Sequence, residues 1–271
     1  MTTPPRRADH RAASAIAERS AFSFRLFGWV FERTFKKSFH AARIARATPP
    51  PAAATSRIVV YSNHPSWWDG VVYVLLAKHL FPEHRVYTPV DAEMLDQYGF
   101  LGKIGSFGVA QNTRRGAADF IATSKAVLAL PDGLLIVAAQ GRFADPRERP
   151  LACGAGIAHL PDHVAGVTFV PLAIEYPLWL EKQPEMLLQF GEAIDGDMLG
   201  ALPVSERLAR LEAALERTMD RLGAASIARD ANAFDLWLEG TMGVNPFYDA
   251  WRRLRAMVQG RRFNAEHGAR K

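Results

Sequence analysis

The 271-residue chain predicts an α/β fold: a mostly parallel central sheet flanked by helices, preceded by an amphipathic helical extension and followed by C-terminal helices. Three observations predict it. Short β-branched runs alternate with helical stretches of about ten to fifteen residues, the pattern of βαβ units. Hydrophobic residues make up 49% of the chain, enough for one sizeable core. The proline-rich stretch ATPPPAAATS, 47–56, has no periodicity and reads as a linker between the extension and that core.

In chain order, residues 1–13 read as a disordered basic N-terminus. Residues 14–46 contain no proline and one glycine and predict one long helix. Phe24, Phe27, Phe31 and Phe35 fall at helical spacing, widened by Leu26, Trp29 and Val30 and interspersed with Arg and Lys. Such a stripe predicts a helix lying in a membrane interface; packing against the domain core is the alternative. After the linker, RIVVYS (57–62) predicts a strand and WWDGVVYVLLAKHL (67–80) a helix. HRVYTPVD (84–91) predicts a strand, AEMLDQYG (92–99) a short helix and SFGVAQ (106–111) a third strand. A helix over 114–130 stops at Pro131-Asp132-Gly133. LLIVAAQG (134–141), VTFVPLAIEY (167–176) and EMLLQFGE (185–192) predict three more strands, and 205–222 is helical. The α/β core is assigned to 57–200, and 201–271 to C-terminal helices with a basic tail.

The charge is unevenly laid out. Residues 1–47 carry a net +7 and residues 251–271 a net +6, so the +5 of the whole chain leaves −8 between them. Basic ends suit an anionic partner, a membrane surface or nucleic acid. The aromatics of 22–39 form one helical stripe and no nucleic-acid module is recognisable, so a nucleic-acid partner is not expected. One cysteine, Cys153, excludes an internal disulfide framework. No apolar run reaches the ~18 residues of a spanning helix, and no apolar stretch of signal-peptide type follows residues 1–13. The expected location is the cytoplasmic face of a membrane, as a peripheral or monotopic protein that is not secreted.

The chemistry-bearing stretch is YSNHPSWWDG, 61–70. His64 follows the first core strand, where ligands gather in parallel sheets. Asp69 falls in the first turn of the next helix and can reach back to the imidazole. A carboxylate that fixes the tautomer leaves the other ring nitrogen free to take a proton near neutral pH. Helix capping by Asp69, with His64 a turn residue, is the competing reading. There is no GxSxG elbow. His159 and His163 are separated by Pro161, which argues against a metal-holding helix. Gly99, Gly102, Gly105 and Gly108 lack the Lys-Ser/Thr of a phosphate loop and suit tight turns.

Four blocks together resemble the glycerolipid (lysophospholipid) acyltransferase family, typified by 1-acylglycerol-3-phosphate acyltransferases. Asn63, His64 and Asp69 match its N-H-x-x-x-x-D block. GSFGVAQ, Gly105 to Gln111, followed by NTRRGA, is similar to its second block. Ala139-Gln140-Gly141-Arg142-Phe143 stands where the family has Pro-Glu-Gly-Thr-Arg, with RPLACGAGIAHL (149–160) in register behind it. Phe169-Val170-Pro171-Leu172 matches the fourth. The resemblance covers about 57–195. It implies His64 as general base, Asp69 as its orienting partner, and an acyl thioester (acyl-CoA or acyl carrier protein) as donor substrate, with no cofactor and no metal. The acceptor would be a lipid hydroxyl. Gln111, Arg114, Arg115, Gln140, Gly141 and Arg142 occupy the implied substrate-binding positions, and backbone N–H groups around Gly141 are candidates for the oxyanion. Charged family positions have become Gln111, Gln140, Phe143 and Ala152 here. A phosphate clamp needs charged bidentate donors, so an acceptor other than lysophosphatidate is expected. A lipid esterase or thioesterase, and a non-catalytic lipid-binding relative, stay open.

Overall fold

The computed structural model describes residues 7–51 and 57–240. The elements are α1 (Arg7–Glu18), α2 (Ala21–Ser38), β1 (Ala41–Ala45), β2 (Ile58–Ser62), α3 (Asp69–His79), β3 (Arg85–Asp91), α4 (Ala92–Gln97), α5 (Phe100–Lys103), β4 (Ser106–Val109), α6 (Arg114–Leu128) and β5 (Gly133–Ala138). A 3₁₀ segment (Ala155–Asp162), β6 (Thr168–Glu175), β7 (Glu185–Phe190), β8 (Ile194–Asp195), α7 (Gly196–Gly200), α8 (Val204–Ala228) and β9 (Phe234–Glu239) complete the described chain. The expected α/β class holds: a central, mostly parallel sheet runs β4-β3-β5-β2-β6-β7-β1-β9, with β8 on β6.

The alternation of side chains along each strand explains the layers. Val59 and Tyr61 of β2, with Leu135 and Val137 of β5, join the cluster beneath α6, the 3₁₀ segment and α8. Ile58 and Val60, with Leu134 and Ile136, join the cluster beneath α2 and α3. Both strands are buried on both faces, which is why they read as continuous apolar runs. The strand β2 is parallel to β5 on one side and to β6 on the other. The loops that follow these three strands therefore emerge side by side on the carboxyl edge. On the approach to β4, Gly105 has φ +108, and a Cβ there would meet the Val86 carbonyl at 2.5 Å. The glycine-spaced stretch is thus a turn under steric demand, as its spacing suggested.

The extension differs from expectation. Residues 14–46 are not one helix, and 7–13 belong to α1 rather than to a disordered terminus. Ser20 breaks the run because its hydroxyl caps α2 by accepting from the Ser23 N–H, a local bond that competes with helix continuation. Residues 41–45 are a fully buried strand, parallel to β7 and antiparallel to β9. Arg43, which falls in the stretch read as one long helix, donates from Nε to Glu185 Oε2 at 3.0 Å in the interior.

The Phe24/Phe27/Phe31/Phe35 stripe is also corrected. Phe35 is buried, Phe24 and Phe31 pack on the core, and Phe27 stacks on Phe100 at 4.5 Å. This face is held to α3 by Glu32, which accepts from Lys78 at 2.5 Å and also pairs with Lys36. A second apolar face points outward instead: Phe22, Leu26, Trp29 and Val30, with Phe22 75% exposed. The C-terminal helices expected over 201–271 reduce, within the described residues, to α8 and a 3₁₀ turn (Ala231–Ala233), followed by the unexpected strand β9. The basic tail, 251–271, lies outside the described residues, as do 1–6 of the basic N-terminus and 52–56 of the linker. No helix among the described residues is long and apolar enough to cross a membrane.

Candidate active site

The site begins with Asn63, at the point where β2 ends. Its side-chain amide donates to the Ile174 carbonyl at 3.0 Å, and its Oδ1 accepts the Ile174 N–H at 2.8 Å. This prolongs the β2–β6 ladder by one side-chain rung and fixes the end of β6. Ile174 faces the α3 side of the sheet. Tyr176, two residues on, shares that face by the strand period. Ser62, on the same side, bonds the Tyr73 hydroxyl of α3 at 2.6 Å.

Asp69 opens α3 and is fully buried. A carboxylate is favourable at a helix N-terminus, but burial requires donors. It has three. His64 Nδ1 lies 2.6 Å from Asp69 Oδ2, and the Ser66 N–H donates to the same oxygen at 3.1 Å. The Tyr176 hydroxyl donates to Oδ1 at 2.5 Å. Because a carboxylate only accepts, Nδ1 carries the imidazole proton in this pair and Nε2 is left as the basic nitrogen. Burial and the Asp69 charge push the Tyr176 phenol well above its ordinary pKa. Tyr73 is raised for the same two reasons. Both stay protonated, so Tyr176 remains a donor to Asp69.

The third and second blocks close around the histidine. Gln140, after β5, accepts the His64 backbone N–H on Oε1 at 3.2 Å, and the His64 carbonyl accepts from Ala144 N–H at 2.9 Å. Gln111, after β4, donates to the Gly141 carbonyl at 2.9 Å. The ring of Phe143 lies 4.4 Å from the imidazole centroid, tilted by 36°. Phe143 is 53% exposed, so the open side of His64 is edged by an aromatic ring.

Other expected positions point elsewhere. The Gly141 N–H donates to the Ala138 carbonyl at 3.1 Å in a turn where Gly141 takes φ +64; it is not offered to a ligand. Arg142 is drawn to Glu148 in a two-pronged pair and to the Phe143 carbonyl. Arg115 is directed to Asp119, which Arg11 of α1 binds at 2.6 Å. Arg114 is exposed at the start of α6. Among the described residues, neither arginine bonds the loops that carry His64 and Gly141, and no cluster of three or more His, Cys, Asp or Glu could hold a metal. Tyr176 is the residue that sequence reasoning missed; the only signal was its place at the end of the VTFVPLAIEY stretch, directly after β6.

No protein-family model matches the sequence, and no curated protein matches it. The fold does have a counterpart among solved structures. The crystal structure of the 1-acyl-sn-glycerophosphate (LPA) acyltransferase PlsC from Thermotoga maritima superposes with a TM-score of 0.50, covering 74% of this chain and 80% of that one at 15% identity. The architecture is PlsC-like. At that identity the likeness is one of fold, and within the PlsC-like frame the His64–Asp69 pair occupies the carboxyl edge of the central strand.

Proposed function

We propose that this chain is a membrane-associated O-acyltransferase that moves a fatty acyl group from an acyl thioester, carried by coenzyme A or an acyl carrier protein, to a hydroxyl of a lipid. The observation that carries this reading is the His64–Asp69 pair: a buried, three-donor carboxylate orienting an imidazole at the carboxyl edge of a PlsC-like sheet. In the reaction, His64 Nε2 takes the proton of the acceptor hydroxyl as its oxygen attacks the thioester carbonyl. The tetrahedral adduct collapses with cleavage of the C–S bond, and the leaving sulfur takes the proton back from Nε2. Asp69 holds the ring and stabilises the transient imidazolium.

The same geometry supports an acceptor without a phosphate at the reacting end. Gln111 and Gln140 are engaged with the loop backbone, Arg142 with Glu148, and Phe143 covers the imidazole. A hydroxylated, uncharged lipid headgroup suits an aromatic edge better than a phosphomonoester, which needs charged donors. Membrane contact is assigned to the outward face of α2, where Phe22, Leu26 and Trp29 repeat at helical spacing beside Arg25 and Arg33, and Arg33 lies over the Trp29 ring. The deciding assay supplies oleoyl-CoA and a total lipid extract and looks for a new acyl ester. The wild type should form one and His64→Ala should not. Undiminished ester formation by a folded His64→Ala variant would remove the assignment. Release of free oleate without any ester would favour the thioesterase reading.

A further inference from the structure

We propose that Tyr176 is a positioning residue for the catalytic pair: its hydroxyl locks the Asp69 carboxylate so that only one oxygen remains for His64. The argument starts from what a carboxylate can do when freed. Asp69 turns about its terminal torsion, which is broad and two-fold, and either oxygen can meet the imidazole. The Tyr176 hydroxyl at 2.5 Å occupies Oδ1, while Oδ2 takes the His64 ring and the Ser66 N–H. The two oxygens are thereby made different, and the ring is offered a single acceptor in a single direction.

The phenol is itself fixed from two sides. Tyr176 directly follows β6, whose end is held by the Asn63–Ile174 rung. Its ring packs 5.7 Å from Phe39, which in turn meets the edge of Trp68 at 4.8 Å. Trp68 directly precedes Asp69. Removing the hydroxyl alone leaves this packing in place, so Tyr176→Phe isolates the bond from the ring.

The test compares the full-length wild type with Tyr176→Phe, using histidine-¹⁵N-labelled protein without substrate. His64 signals are assigned by their loss in His64→Asn. The wild type should show one tautomer, with a low-field proton on Nδ1. In Tyr176→Phe that proton should move upfield and the Nε2–H form should appear. The kinetic arm rests on the acyl-transfer reading. With oleoyl-CoA and a lipid extract, kcat should fall about 10- to 100-fold, the range for losing one hydrogen bond to a charged group, and KM for oleoyl-CoA should stay within about twofold. Adding Tyr176→Phe to Asp69→Asn should cost no further rate, because the residues act as one unit.

An unchanged His64 spectrum in a folded Tyr176→Phe protein would overturn the proposal, as would multiplicative losses in the double variant. If neither protein consumes oleoyl-CoA but the His64 spectrum shifts as described, the positioning role stands and the acyl-transfer reading falls.

Discussion

Arg142 shows how one neighbour decides what a residue is available for. It stands in the block where a phosphate-binding side chain is expected, yet both prongs of its guanidinium go to Glu148. Exposed pairs of this kind are weak because solvent screens them, so the pairing biases Arg142 rather than immobilising it. Glu148→Gln should release it toward the site and raise turnover of a lysophosphatidate acceptor severalfold relative to an uncharged monoacylglycerol. Adding Arg142→Ala should cancel the gain. Equal turnover of the two acceptors before and after Glu148→Gln would contradict this account of selectivity. The site was legible in the sequence where its members are close. His64 and Asp69 are five residues apart, and the turn between them was visible as HPSWWD. Gln111 and Gln140 could be placed through the block resemblance. Tyr176 could not, because it reaches Asp69 across 107 residues, a meeting created by the side-by-side placement of β2 and β6. Arg114 and Arg115 came from the same resemblance, which says nothing of the neighbours above the first turn of α6, where Arg115 is directed to Asp119 and Arg114 is exposed.

Helix α2 has two apolar faces with opposite fates. Phe35 and its partners are part of the core under α3, and replacing Phe35 by Ala should cost about 3–5 kcal/mol. Phe22→Asp with Trp29→Asp, on the outward face, should leave the melting temperature nearly unchanged while reducing flotation with anionic vesicles. Arg25 and Arg33 beside them should make part of that expected binding salt-sensitive. If the outward variant floats as well as the wild type, α2 does not contact the membrane. The clasp between α2 and α3 adds a pH dependence. Hydrogen bonds first from Lys36 and then from Lys78 hold Glu32 at about 2, below its ordinary 4.5. The folded value is depressed, so this contribution is present above pH 4.5 and disappears as the pH falls toward 2. Glu32→Gln should flatten the acid limb of the stability curve in that window, measured by denaturant midpoint against pH. Elements with β-branched runs, such as β2 and β6, announced themselves. Strand β1 did not: AARIA is built from good helix formers, and only its pairing with β7 and β9 makes it a strand.

Across the whole molecule, the sheet ties early and late parts of the chain together. The Arg43–Glu185 pair joins β1 to β7 in the interior, with His40 3.7 Å away and Trp179 beneath the guanidinium. Burial raises the Glu185 carboxyl despite Arg43, a sign that its charge is held at a desolvation cost. Arg43→Met alone strands that carboxyl and should destabilise the protein by about 3–5 kcal/mol, whereas Arg43→Met with Glu185→Met should recover most of the loss. Chemical denaturation of the three proteins checks this. A double variant no better than Arg43→Met alone would mean that the pair is worth more than its burial costs.

The seating of β1 between β7 and β9 bears on how the polypeptide is made. As the chain leaves the ribosome, α2 emerges early, and β1 directly after it. Its neighbours at 185–190 and 234–239 are not yet synthesised. At about 5–20 residues per second, β1 waits roughly ten to forty seconds for its second edge. During that interval the outward face of α2 is accessible while the sheet beneath it is incomplete, so the proposed contact with a bilayer would be able to precede folding. Stalled chains ending before residue 185 should be cut by protease within 41–45, and released full-length protein should resist. Protection of that strand in the short chains would mean that something other than β7 and β9 holds it during synthesis.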